Sequence, residues 1–417
     1  MKKKTKKGLT ITAIVLASIL FIIGVCALIT YIGSEANIKY AKNVETVQFT
    51  DQIKPEIDPE TGYWTFVCDR EFRVMQLTDV HIGGGFMCIQ KDNWALGAVA
   101  TLIAEQKPDL VIATGDIGYP VPFQAGTFNN LTPVREFSTL MEKLGVYWTF
   151  AYGNHDTEAY SFYNRAEIDR YYSEKIASGE LSHCLYKSVF SGNIEGYKGL
   201  EADAGYGNNI INVKNSAGII TQSIITFDSH SYEKGFLRDY DHIHECQIDW
   251  YEQAIKDLNE RNKAKLGITD DVMTVRSLAF FHIPMSEYKT AYKEWYDNGQ
   301  KDTANVRMDY GVMGEDINGD WVYCGVTEDL LFETMLRLKS TQGVFCGHDH
   351  YNNFSLFYNG GSGDYSIRLT YGMSIDYLAY LGIVKKTAQR GCTMISILPD
   401  GSFDCFGYRL SDKTIID

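Results

Sequence analysis

The sequence predicts an α/β fold, one large domain behind an N-terminal apolar helix. Three observations carry this. Strand-like and helix-like stretches alternate from residue 70 onward, the rhythm of a sheet with crossover helices. No internal repeat or Pro/Gly/Ser-rich linker interrupts residues 70–411, and the 417 residues include only 8 prolines. Hydrophobic residues make up 45% and charged residues 22%, a balance that folds and excludes wholesale disorder.

The elements follow in chain order. Residues 1–8 form a basic tip with Lys2, Lys3, Lys4, Lys6 and Lys7. Leu9 to Ile32 carries no charge across 24 residues. As a helix it spans about 36 Å, enough to cross a hydrocarbon core of roughly 30 Å. An uncleaved membrane anchor is the expectation. A cleaved signal is the alternative, with Ser34-Glu35-Ala36 as a small-residue site, although signal cores are usually only about 7–15 residues long. A lipid-anchored Cys26 and a buried soluble helix are weaker readings. The lysines would stay cytoplasmic, which turns everything after residue 33 outward.

Residues 33–70 read as a stalk followed by a first hairpin strand, Tyr63 to Cys68. Strands are expected at Phe72 to Leu77, Asp109 to Ala113, Val146 to Ala151, Asn209 to Val213, Ile219 to Phe227 and Val275 to Phe281. Helices are expected at Asn93 to Gln106, Pro133 to Leu144, within 157–180, at Gln247 to Arg261 and at Glu328 to Leu338. Residues 297–322 read as an irregular insertion. The end of the chain is strand-rich, with Pro399-Asp400-Gly401 turning a hairpin between Ile395–Leu398 and Phe403–Phe406. Residues 412–417 are a tail.

The net charge is −14, and without the basic tip 34 Lys+Arg face 53 Asp+Glu. A nucleic-acid-binding surface is therefore not expected. Nine cysteines are present, eight of them outside the apolar segment, widely spaced and with no C-x-x-C. That disfavours a zinc finger. Disulfides and buried free thiols both remain open.

Five short clusters carry the chemistry, each at or just after an expected strand end. They are Asp79-Val80-His81, Gly115-Asp116, Gly153-Asn154-His155-Asp156, His282-Ile283-Pro284 and Gly347-His348-Asp349-His350. Five of the nine histidines lie in them. Ligands of open α/β sheets bind beyond the carboxyl ends of strands. Carboxylate, imidazole and amide together suit first-row divalent or trivalent metals rather than Ca²⁺ or thiolate-bound Zn²⁺. Any one cluster alone is weak evidence. All five together point to a dinuclear metal site.

In this pattern the chain resembles the calcineurin-like metallophosphoesterase superfamily: D-x-H, then G-D, then G-N-H-D/E, then a single His, then G-H-x-H. The resemblance covers roughly residues 70–410. It implies two facing mixed β-sheets flanked by helices over 71–411, with two metals at the strand ends. It further implies Asp79, His81 and His350 on one metal, and Asn154, His282 and His348 on the other, with Asp116 bridging. His155 matches the non-ligand histidine that contacts the phosphoryl group or protonates the leaving oxygen. The implied activity is hydrolysis of phosphomonoesters or phosphodiesters by a metal-bridging hydroxide. The two ions are drawn from Mn, Fe or Zn. Nucleotides or cell-envelope polymers are alternative substrates, and a silent binding module is an alternative function.

Gly115-Asp116-Ile117-Gly118-Tyr119-Pro120 lacks the second Asp and the Arg of the protein Ser/Thr phosphatases. Tyr119 stands where purple acid phosphatases place a metal-binding tyrosine, but His81 already fills the neighbouring ligand position. Tyr119 is therefore read as packed or substrate-facing, with ligation as the alternative. Tyr206-Gly207-Asn208-Asn209, Phe227-Asp228-Ser229 and Gln247-Ile248-Asp249-Trp250 are similar to the purple acid phosphatase 29-like branch. His230 lines the pocket or is a satisfied loop residue. His242 and His244 read as a solvated pair, and His183 as a surface residue. Asp316, Asn318 and Asp320 alternate like a calcium loop, but Trp321 stands where that loop needs Gly.

Overall fold

The structure is a computed structural model that describes residues 2–188, 204–233, 239–314, 322–361, 363–380 and 390–416, with side chains from residue 7 on. Asp316, Asn318, Asp320 and Trp321 lie outside the described residues, as do the side chains of Lys2 to Lys6.

Two mixed sheets face each other. The smaller is built from β3 (Phe72–Leu77), β4 (Leu110–Thr114), β5 (Tyr147–Ala151), β13 (Gly391–Ile397), β14 (Phe403–Arg409) and β15 (Ile415–Ile416), in the order β15-β14-β13-β3-β4-β5. The larger holds β1 (Glu56–Ile57), β2 (Trp64–Val67), β6 (Asn209–Lys214), β7 (Ile220–Thr226), β8 (Ser277–Phe280), β9 (Val306–Tyr310), β10 (Thr341–Cys346), β11 (Ser355–Tyr358) and β12 (Ile367–Tyr371). Its order is β1-β2-β6-β7-β8-β10-β12-β11-β9. β3, β4 and β5 run parallel, and so do β7, β8, β10 and β12.

The apolar runs are continuous because both faces of each sheet are covered. Val74, Leu110, Ile112 and Ile395 meet Ile211, Ile224, Leu278 and Phe345 in the core between the sheets. Their strand neighbours Met75, Val111 and Met394 point outward, into a core shared with α2 (Ile89–Gln106), α3 (Leu131–Leu144) and α4 (Arg165–Ala177). On the other side Ile210, Ile225, Ala279 and Val344 pack beneath α5 (Glu245–Leu266), α6 (Ser286–Asp297) and α7 (Leu331–Leu338). The alternation of side chains along each strand thus produces four layers.

The N-terminal helix α1 runs from Lys2 to Asn43, well past the apolar segment. The stalk expected from residue 33 is therefore helical as far as Asn43. Its last turns dock on the domain: Ala41 is fully buried, and Asn37 Nδ2 donates to Ile89 O and to Glu136 Oε2, each at 3.3 Å. Arg135 and Glu35 pair at 3.4 Å. Within 297–322, read as irregular, Val306–Tyr310 forms an edge strand against β11. Among the described residues no disulfide joins any of the nine cysteines.

Candidate metal centre

The strands that bring the five clusters together are the parallel ones. Asp79 follows β3, Asp116 follows β4 and Asn154 follows β5, while His282 follows β8 and His348 follows β10. The carboxyl ends of the two sheets converge, and a parallel bridge between Thr78 and Ser374 stitches them there. Asp79, His81, Asp116, Asn154, His282 and His350 are all buried, and His155 and His348 are half-buried.

Two groupings emerge whose ligand atoms lie within 4.8 Å of one another: Asp79, His81 and His350, and Asp116, His282 and His348. One carboxylate oxygen joins them. Asp116 Oδ2 lies 3.3 Å from His81 Nε2 and 3.2 Å from His282 Nε2. His350 Nε2 stands 3.4 Å from Asp79 Oδ1, and His348 Nδ1 stands 3.3 Å from His282 Nε2. Asn154 is fully buried, and its Oδ1 has no hydrogen-bond partner among the described residues. A buried amide oxygen left unpaired costs free energy, and a cation would satisfy it. The donor set of carboxylate, imidazole and amide oxygen fits first-row metals.

The backbone is strained at this place. Asp79, His81, Asp116 and His348 have φ of 51°, 53°, 51° and 77°. The left-handed region is uncommon for residues other than glycine, and strain of this kind clusters at functional sites. Gly153 lies against the shared carboxylate, since a Cβ there would sit 2.1 Å from Asp116 Oδ1. Asp156 ties two loops together, its carboxylate accepting from the N–H groups of Asp116 (3.0 Å), Gly118 (2.8 Å) and Gly153 (2.8 Å).

The electrostatics favour positive charge. Burial opposes a charged His81, but Asp376 and Asp116 beside it push its pKa up to about 10. Burial likewise opposes a charged His282, and Asp116 raises it to about 9. Burial opposes ionisation of Asp116, yet His282 and His155 hold its carboxyl well below the usual range.

Two contributors, Asp376 and Glu158, were not visible as site residues in the sequence. Asp376 lies beyond β12, its Oδ1 at 3.4 Å from His81 Nδ1 and its Oδ2 at 3.3 Å from His350 Nδ1, so one carboxylate holds an imidazole from each of two clusters. The N–H groups of Leu378, Ala379 and Tyr380 anchor it. Glu158 Oε1 sits 2.8 Å from His155 Nδ1 and accepts from Tyr232 OH at 3.2 Å. Its position three residues after His155, on the 3-10 turn His155–Thr157, was the available signal.

Tyr119 stacks on His81 with ring centroids 4.5 Å apart, and its hydroxyl donates to Gln124 Oε1 at 2.7 Å. It is a packed side chain here. Asp349, between two cluster histidines, accepts instead from Tyr371 OH at 2.5 Å. In the Asp228 and Gln247 stretches, Asp228 pairs with the half-buried Arg165 at 2.6 Å, and Gln247 Nε2 donates to Asn208 Oδ1 and Asp228 O, each at 2.8 Å. His230 is a satisfied loop residue, 3.0 Å from Gln247 Oε1. His242 and His244 are not a solvated pair: both lean on Asp241, at 3.3 and 3.0 Å.

Comparison with known proteins follows this geometry. The calcineurin-like phosphoesterase profile matches residues 72–352. Probable inactive purple acid phosphatase 29 of Arabidopsis thaliana is 22% identical over 336 residues, 76% of this chain and 74% of that protein. Phosphatase DCR2 of Saccharomyces cerevisiae is 27% identical over 301 residues, 69% of this chain and 45% of that protein. A solved dimetal phosphatase from Danio rerio superposes with a TM-score of 0.41 at 12% identity, covering 80% of this chain and 98% of that one. With the profile spanning most of the body and all five clusters inside it, the chain belongs to the calcineurin-like phosphoesterase family.

Proposed function

We propose that this protein is a metal-dependent phosphoesterase held to a membrane by α1, with its body on the extracytoplasmic side. The observation that carries the activity is the single Asp116 oxygen between His81 and His282, where one carboxylate serves two metal positions. Asp79, His81 and His350 would hold one ion, and Asn154, His282 and His348 the other, with Asp116 shared. Manganese, iron and zinc all suit these donors. Bound there, two cations supply Lewis acidity and lower the pKa of water.

The residues of the chain do the rest. His155 faces the opening, and Glu158 on its Nδ1 fixes the ring so that Nε2 presents a proton to the departing oxygen. The His155 backbone N–H donates to Asp116 Oδ1 at 2.8 Å and aligns that carboxylate. Asp376 orients two ligand imidazoles. Support for anchoring is the apolar stretch of α1, which has a mean hydropathy of 2.8 and is left uncovered by the rest of the protein.

The test is Asp116→Asn. Metal content by elemental analysis and release of phosphate from p-nitrophenyl phosphate are both expected to be lost, with the circular dichroism spectrum retained. Turnover by that variant would refute the site. The name of the plant relative, probable inactive, motivates a second reading as a silent binding module. A fully metallated wild-type protein that hydrolyses neither p-nitrophenyl phosphate nor its bis-ester would favour it. Protease protection of the body on intact cells would refute the orientation.

A further inference from the structure

Three of the loops that leave the metal clusters do not end at the site. The loop after His81 carries Phe86 and Met87, the loop after Asp116 carries Phe123 and Phe128, and the turn after His155 leads to Tyr160 and Phe162. All three converge on α1. There they wall a groove of about 580 Å³ whose opposite side is the apolar helix itself, at Ile22, Ile23 and Cys26. The aromatic side chains form a series. Tyr119 touches His155 at 4.7 Å between ring centroids, and Phe128 lies 6.3 Å from Tyr160 and 6.0 Å from Phe162, stacked on the latter. Aromatic side chains thus stand both at the metal centre and along the groove beside the anchor.

This surface is uncovered. Of the aromatic side chains that line the groove, Phe162 is 66% exposed and Phe128 43%, and on the same loops Met87 and Phe123 are exposed as well. Soluble proteins rarely leave such a patch bare, and its place specifies what covers it. Counted from Lys7, about 20 helical residues at ~1.5 Å each cross the core, which puts its outer edge near Ala27 and leaves Ile22 and Ile23 roughly 6–8 Å inside it. A loop that meets Ile22 and Ile23 therefore sits at the depth of the outer leaflet, among acyl chains. Aromatic side chains suit that boundary.

We propose that the substrate is a lipid phosphate ester of that leaflet, its tail in the groove between α1 and the three loops and its phosphate at the metal centre. This rests on the anchored phosphoesterase reading above. Water supplies the oxygen that forms the new bond to phosphorus. The bond from phosphorus to the lipid oxygen breaks, that oxygen takes a proton from His155, and the proton given up by the attacking water restores His155 through solvent. The lipid alcohol stays in the leaflet and phosphate departs to water.

The test uses the metal-loaded full chain in phosphatidylcholine vesicles. Phosphate release is measured from phosphatidic acid in the vesicles and from p-nitrophenyl phosphate in solution. The double variant Phe128→Ser/Phe162→Ser is expected to lower the ratio of lipid to soluble turnover at least tenfold. An unchanged ratio, or hydrolysis of the soluble ester alone by the native chain, overturns the proposal. A second arm needs no turnover. Phe162→Trp adds an indole whose emission should be quenched by lipids brominated on the acyl chain, and an unquenched indole overturns the proposal. Absence of phosphate release from both esters would instead refute the phosphoesterase reading, and the quenching arm would still decide the lipid contact.

Discussion

Gly153 has no side chain because there is no room for one. A Cβ would lie 2.1 Å from Asp116 Oδ1 and 2.3 Å from Asp116 N, and the backbone atom has nowhere to go. Gly153→Ala is expected to displace the Asp116 carboxylate. Metal content should fall below one ion per chain by elemental analysis while the far-ultraviolet circular dichroism stays native, and two retained ions would contradict this. Asp376→Asn keeps the shape but removes the charge that His81 and His350 share. Lost support of this kind typically weakens metal binding about 10- to 100-fold. Competition with a chelator measures it. Asp79 and His350 were legible in the sequence because short motifs name them. Asp376 was not, since it lies 26 residues past His350 with no motif around it. Its role exists only where β12 meets β3.

Between elements, the junction of α1, α2 and α3 holds two carboxyls away from water. Burial and the nearby Asp92 raise Glu136 well above the usual carboxyl range, and burial raises Asp92 to about 6. Both folded values exceed the unfolded ones, so the folded state binds more protons from about pH 4 upward. Stability present at low pH is lost as pH rises through about 6. The Tm of the full chain is therefore expected to fall between pH 5 and 8, and Glu136→Gln to flatten the fall; an unchanged slope would place the effect elsewhere. At this scale the sequence was most legible in the buried parallel strands. β3 matches Phe72 to Leu77 to the residue, a largely apolar run in which only Arg73 and the buried Gln76 are polar. β9 was hidden by the opposite circumstance. It is an edge strand, Val306-Arg307-Met308-Asp309-Tyr310, with exposed and half-exposed residues at its centre among Gly, Asp and Asn neighbours. α6 went unread for a similar reason: only Tyr288, Ala291 and Tyr292 are buried in a polar, Tyr-rich helix.

For the molecule as a whole, the useful boundary of the body is set by packing rather than by hydropathy. A chain starting at Gly33 keeps Asn37 against Glu136 and Ala41 in its pocket. A chain starting at Val44 leaves that buried carboxyl without its amide, a loss of roughly 1–3 kcal/mol before any cavity is counted. The shorter form is expected to have the lower Tm by differential scanning calorimetry, and equal values would show that the docked turns contribute nothing. The same docking has a kinetic meaning. In the proposed membrane setting, a helix unbroken from Lys2 to Asn43 and clamped at its far end would leave no swivel between anchor and metal centre. Height and tilt above the bilayer plane would then be fixed, and the search for substrate would shrink from a volume to a layer. Turnover on such a layer would follow molecules per unit area and their lateral diffusion, indifferent to how much of the same ester is dissolved far from the surface.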